Sequence, residues 1–142
     1  MAYEAIVAAI RMAKKSVYAD IAAGTLDGDK AIEFEGLFPE WAPGKYAVND
    51  VRRHGGQVWR CCQSHDNAHN PDVEPGHTPA IWVPYHTKNP KYAKPFIRPT
   101  MSEDAYKKGE CCLWVDGTVR RSTIDGNTYS PDEYPAGWEV AG

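Results

Sequence analysis

Two adjacent glycines, Gly55 and Gly56, stand between Val51-Arg-Arg-His54 and Gln57-Val-Trp-Arg-Cys-Cys62. Two successive residues at positive φ are what a two-residue hairpin turn demands, and glycine reaches that region at no steric cost. The pair predicts a tight reversal joining two antiparallel strands, the second over 57–62 and rich in β-formers. Asn49-Asp50 marks a turn just upstream, and spaced prolines at Pro71, Pro75 and Pro79 lead to Trp82. Eleven prolines, twelve glycines and sixteen aromatics in 142 residues fit short strands and turns, so aromatic side chains are the expected core. Trp41, Tyr46, Trp59 and Trp82 are expected to fill it, with Trp138 doing the same further on.

The layout recurs. Tyr46-x-x-Asn49-Asp50 is paralleled by Tyr106-x-x-Gly109-Glu110, and Gly55-Gly56 by Asp116-Gly117, a second hairpin signal. Trp59-Arg60 is echoed by Arg120-Arg121, Asn70-Pro71 by Ser130-Pro131, and Trp82-Val83 by Trp138-Glu139-Val140. The tyrosine and the proline are 25 residues apart in both copies. A diverged second β unit is therefore expected over 106–142, with strands near 110–115, 118–121 and 128–129. Pro90, Pro95 and Pro99 among lysines read as an extended linker over 87–105.

Before these units, Ile6, Ile10, Ala13, Val17 and Ile21 recur at helical spacing, which predicts an amphipathic helix over 2–23 with Gly24 as its stop. The narrow stripe, flanked by Ala5 and Ala9, suits either packing on its own domain or self-association in a small parallel bundle such as a trimer. A shorter helix is expected over 29–36, capped by Asp27 or Asp29. The resulting class is α+β, with an N-terminal helical anchor (1–40), a first β module (41–86), the linker and a second β module.

Trp41, Tyr46, Asp50, Gly56, Trp59, His65, Pro71, Pro79 and Trp82 stand in an order that resembles the chitin-binding type modules of carbohydrate-binding families 5 and 12. The likeness is closer to the version carried by short proteins of phage and prophage structural regions. Asn49, Arg52 and His54 depart from that pattern, where Gly, Val and Tyr are usual. The resemblance implies a non-enzymatic protein whose β modules meet a surface polysaccharide. It also implies a place in a virion assembled in the host cytoplasm, as head decoration, fibre or tail-associated protein, with other virion proteins as partners. Two further readings stay open: a cement between virion subunits, and an accessory glycan-binding module of a cell-wall hydrolase. Sugar-binding members stack glycan on exposed aromatics after the second strand, yet residues 63–69 hold no Trp or Tyr. The candidate sugar contacts are therefore Tyr85, Trp114, Tyr129 and Tyr134, with His65.

Charge and motif content narrow the alternatives. A net charge of −3 gives no polybasic surface for nucleic acid. No apolar run approaches a membrane span, and the lysines Lys14 and Lys15 follow the first apolar segment instead of preceding it, so synthesis in the cytosol is expected. No catalytic signature is present, so no catalytic residue and no cofactor are expected. Cys61-x3-His65-x3-His69 lacks the paired first half of a zinc site, so no metal is expected. Cys61-Cys62 and Cys111-Cys112 read as reduced, buried thiols or as one disulfide across the two units.

Overall fold

The computed structural model describes residues 2–69 and 73–141 and is an α+β fold. Pro71, part of the resemblance and of the repeat, lies outside the described residues. Helix α1 runs unbroken over Ala2–Ala23. It stops at Gly24, whose φ is 71°. Gly24 N–H donates to Ile21 O (3.1 Å) and Thr25 N–H to Asp20 O (2.8 Å), the paired bonds of a Schellman stop. Helix α2, Gly28–Glu33, begins where Asp27 Oδ1 accepts from Lys30 N–H at 2.8 Å. Lys30 then ties α2 back to α1 through Asp20 Oδ2 at 2.7 Å.

The stripe on α1 has two fates. Val17 is fully buried and Ile21 packs beside it, in a cluster with Leu26, Ala31, Ile32, Phe38, Val51 and Val58. Ala13 is half-buried, while Ile6 and Ile10 remain 59% and 54% exposed. The segment expected as an anchor over 1–40 and the β module expected over 41–86 share this cluster. Val51 and Val58 belong to the first β unit, and the helices are what bury them. No helix among the described residues is long and apolar enough to cross a membrane.

Strands β1 (Lys45–Tyr46), β2 (Val51–His54), β3 (Gln57–Cys61), β4 (His65–Asp66) and β5 (Trp82–Pro84) make the first unit. β1 pairs with β4, and β2-β3-β5 form an antiparallel sheet. His54 faces Gln57 across the turn, with Gly55 and Gly56 at φ 60° and 76°, as the sequence predicts. Alternation along β3 sends Val58 to the helices and Trp59 and Cys61 to the other face. There they meet Tyr46 and Trp82, with Trp41, Ile81 and Ile97 packed alongside. Both faces of this three-stranded sheet are therefore covered.

Residues 87–105, expected as a linker, are instead built into the body. Strand β6 (Lys94–Pro95) pairs parallel with β7 (Cys111–Leu113), and β8 (Val119–Ser122) and β9 (Trp138–Ala141) complete a four-stranded sheet. Phe96 packs into the second core with Tyr106, Cys112 and Trp138, while its neighbour Ile97 packs into the first. Pro95 lies within β6, whereas Pro90 opens a 3₁₀ turn over Pro90–Tyr92. The strand expected at 128–129 is reduced to a bridge between Tyr106 and Asn127. Asp116-Gly117 does not make a two-residue turn. Trp114 N–H bonds Thr118 O at 2.9 Å around a longer loop, and only its glycine takes positive φ, 84°.

The turn that leads into the hairpin is built with the same hydrogen bonds in both units. Asn49 N–H and Cys61 O pair at 2.8 Å, and Gly109 N–H and Ser122 O at 2.9 Å. Cys61 N–H and Asp50 O (2.8 Å) match Ser122 N–H and Glu110 O (2.8 Å). The carboxylates of Asp50 and Glu110 accept from Ala47 N–H (2.8 Å) and Lys107 N–H (2.6 Å). Asn49 holds φ 76° where Gly109 holds 94°, so the departure from glycine at Asn49 falls on one of the few residues that tolerate this region.

The segment 86–88 joins the parts. Asp29 Oδ1 accepts from Thr87 Oγ1 at 2.8 Å and from Lys88 N–H at 2.6 Å. A Cβ on Gly28 would lie 1.7 Å from His86 O. Gly28→Ala should therefore lower stability by about 2–3 kcal/mol, because backbone cannot yield as a side chain can. Gly36→Ala, where an added methyl meets nothing within 4 Å, should leave the urea midpoint unchanged.

Candidate functional site

Ser130-Pro-Asp-Glu133 opens the loop that carries the site. Its ends cap each other: Ser130 N–H donates to Glu133 Oε1 at 2.9 Å, and Glu133 N–H to Ser130 Oγ at 3.2 Å. This turn brings Tyr129 and Tyr134 together, ring centroids 5.5 Å apart and 70° inclined. Their exposures are 49% and 39%. Beneath them Asn127, fully buried, donates from Nδ2 to Ser122 Oγ (3.0 Å) and Gly137 O (2.9 Å), and its Oδ1 accepts from Tyr129 N–H (3.1 Å). Trp138 Nε1–H donates to Tyr129 O at 3.1 Å, so the core tryptophan holds the exposed tyrosine by its backbone. A Cβ on Gly137 would lie 2.7 Å from Tyr134 Cδ2, so glycine there lets the Tyr134 ring lie flat on the loop.

A shallow groove of about 550 Å³ runs beside Tyr129, lined among others by Arg98, Thr100, Thr128 and Glu133. Arg98 Nη2 and Glu133 Oε1 are 2.5 Å apart across it. The Arg98 guanidinium, followed by the Ser130 N–H, holds the Glu133 carboxyl below its usual range. The groove thus offers hydroxyls, one ion pair and aromatic edge, a lining suited to hydroxyl-bearing ligands more than to a strongly charged one.

The other candidates sit elsewhere. Tyr85 packs against the helical core, and burial pushes its phenol up to about 12, so it is not the exposed sugar contact expected of it. His65 lies within the first aromatic cluster, 5.7 Å from the Tyr46 ring and 5.8 Å from Trp82, with Nδ1 2.8 Å from Gln63 O. Trp114 is half-buried with its ring 5.4 Å from Phe96. No ring contact joins these three to the Tyr129–Tyr134 pair. Of the core residues, Tyr46, Trp59, Trp82 and Trp138 are buried, and Trp41 is half-buried against His54.

All four cysteines are free thiols. Burial raises each of them, Cys112 to about 12, which leaves them poor nucleophiles. Cys61 Sγ approaches His65 Nδ1 at 3.7 Å. Among the described residues no group of three His, Cys, Asp or Glu side chains is placed to hold a metal ion.

A second cavity, about 330 Å³, lies where α2 meets both β units, and Asp27, Asp29, Glu103 and Glu110 line it together with Arg60, Lys88 and Lys107. Three of these carboxylates accept backbone N–H groups: Asp27 from Lys30, Asp29 from Lys88 and Glu110 from Lys107. Asp27 and Glu110 cap local turns, and Asp29 binds the segment 86–88 across the fold. Burial raises Glu110 against the pull of that N–H.

Sequence reasoning did not find Asn127, Gly137 or Arg98. The Ser-x-x-Glu spacing at 130–133 was a legible signal for the turn that presents the tyrosines. The chain matches no protein-family model, and no curated protein matches it.

Asn127→Ala should cost about 2–3 kcal/mol, since it removes three hydrogen bonds of a fully buried side chain and leaves the Tyr129 N–H without its partner. Thermal unfolding would measure that cost. Faster exchange of the Tyr129 amide in the same variant would show that the loop had come loose.

Proposed function

We propose that the chain is a non-enzymatic adhesion protein of a phage virion, a head decoration, fibre or tail-associated component that meets polysaccharide through its second β unit. The observation that carries this reading is the exposed Tyr129–Tyr134 pair, braced by Asn127 and Trp138 beside an open groove. Flat aromatic surfaces suit the apolar faces of sugar rings, and braced rings lose little freedom on binding. The virion setting rests on the resemblance to carbohydrate-binding families 5 and 12 and to short phage structural proteins.

The anchor in this reading is the exposed apolar stripe on the first half of α1. Tyr3, Ile6, Ile10 and Met12 stay exposed there, and Ile6 and Ile10 continue the stripe that Val17 buries. A helix of that length is marginal in water without a partner, and copies of the same chain, with other virion proteins, would supply one. Many weak sites on one particle then gain avidity from effective concentration alone.

A cement role is the second reading. It is favoured by the first unit, whose Tyr46, Trp59 and Trp82 are all turned inward.

Sedimentation of chitin, peptidoglycan and host cells with the purified protein separates the two. The adhesion reading expects retention on one of them, weakened roughly tenfold by Tyr129→Ala or Tyr134→Ala with unchanged circular dichroism. Retention by virion proteins alone would favour cement. In analytical ultracentrifugation the full chain should be oligomeric, and Ile6→Glu with Ile10→Glu should make it monomeric. An already monomeric wild-type chain would remove the anchor.

A further inference from the structure

We propose that the segment 86–88 is a proton-operated catch, so that acidification opens the seam between the helical arm and the two β units while the first hairpin stays folded. In this segment three parts are fastened to a single stretch of backbone. Upstream it continues β5 of the first unit. On one side Gly28 lies against the His86 carbonyl, and Asp29 accepts from Thr87 and Lys88. On the other side Cys111 N–H donates to Thr87 O at 2.7 Å, and the His86 ring stacks on Tyr106, centroids 3.8 Å apart and 18° inclined.

His86 is 8% exposed, and its Nε2–H donates to Asp104 O at 2.8 Å. That bond uses one ring nitrogen, and a neutral imidazole needs no second donor. A second proton would place a cation between a phenol ring and a peptide seam. The groups that face it are few. Asp104 and Tyr106 come from the second unit, and the Asp104 carboxylate already accepts from Thr100 and Met101 N–H. The adjoining cavity carries Asp27 and Asp29 from the arm, Arg60 from β3, Lys88 from the segment itself, and Glu103, Lys107 and Glu110 from the second unit. Carboxylates and cations there nearly balance, so they offer little compensation for the lost hydration.

Burial, opposed by the Asp104 carbonyl, accordingly lowers the imidazole from its ordinary 6.5 to about 4. The opened state takes up a proton near the ordinary value and the closed state only near the lowered one. Closure is therefore fully favoured above pH 6.5 and weakens as pH falls toward 4. Each unit in that window shifts the balance tenfold, which makes seam opening roughly a hundredfold more frequent at the acid end.

Hydrogen exchange on the intact protein at pH 7 and pH 4, corrected for intrinsic exchange, tests this. Peptides covering α2, 86–88 and 104–112 should lose protection at pH 4, while the β2–β3 hairpin keeps it. His86→Phe preserves the stacked ring without the titrating nitrogen and should show equal seam protection at both values, with His86→Gln as a second non-titrating variant. Equal loss across hairpin and seam, no loss at all, or an acid-sensitive seam in either folded variant would overturn the proposal. If neither variant folds, the regional pattern in the wild-type protein decides alone.

Discussion

Strand β3 is buried on both faces, and the rest of the molecule is arranged around that fact. A three-stranded sheet of short strands has little apolar surface of its own to hide. Here Val58 is covered by the helices and Trp59 by the aromatic cluster, each almost completely. The helices are thus not an appendage to a β module. Removing them would expose Val51 and Val58, and removing the crossing segment would expose the far side through Ile97.

The two β units show how one backbone scheme can be filled in two ways. The position occupied by Cys61 in the first unit holds Ser122 in the second, and His65 corresponds to Asn127, since each faces the first tyrosine of its unit. In the first unit these side chains join an aromatic interior. In the second they form a hydrogen-bonded bracket of Ser122, Asn127 and Gly137 that turns the following loop outward. The aromatic pair at the surface is held from below by this bracket and by Trp138.

Much of this was legible in the sequence, and the part that was not has a physical reason. The 3.6-residue spacing of the α1 stripe, the glycine pair and the repeated Tyr-to-Pro interval are local or periodic signals, and they predicted the helix, the hairpin and the second unit. Residues 87–105 were misread because prolines and lysines describe an extended chain equally well in a linker and in an edge strand such as β6. Tyr85 is misplaced because nothing local in its sequence reports which face a neighbouring helix will cover. Asn127 and Gly137 act through contacts between residues ten positions apart, which no spacing rule reports.

The unbroken run of α1 from an exposed tip to a buried foot has a mechanical meaning. At 1.5 Å per residue its 22 residues form a rod of roughly 33 Å. A force applied at the tip is delivered through Val17 and Ile21 onto the valine face of the β2-β3-β5 sheet. The arm would then be a lever as much as a tether, and tension on it would be felt first by the sheet that Val17 and Ile21 cover.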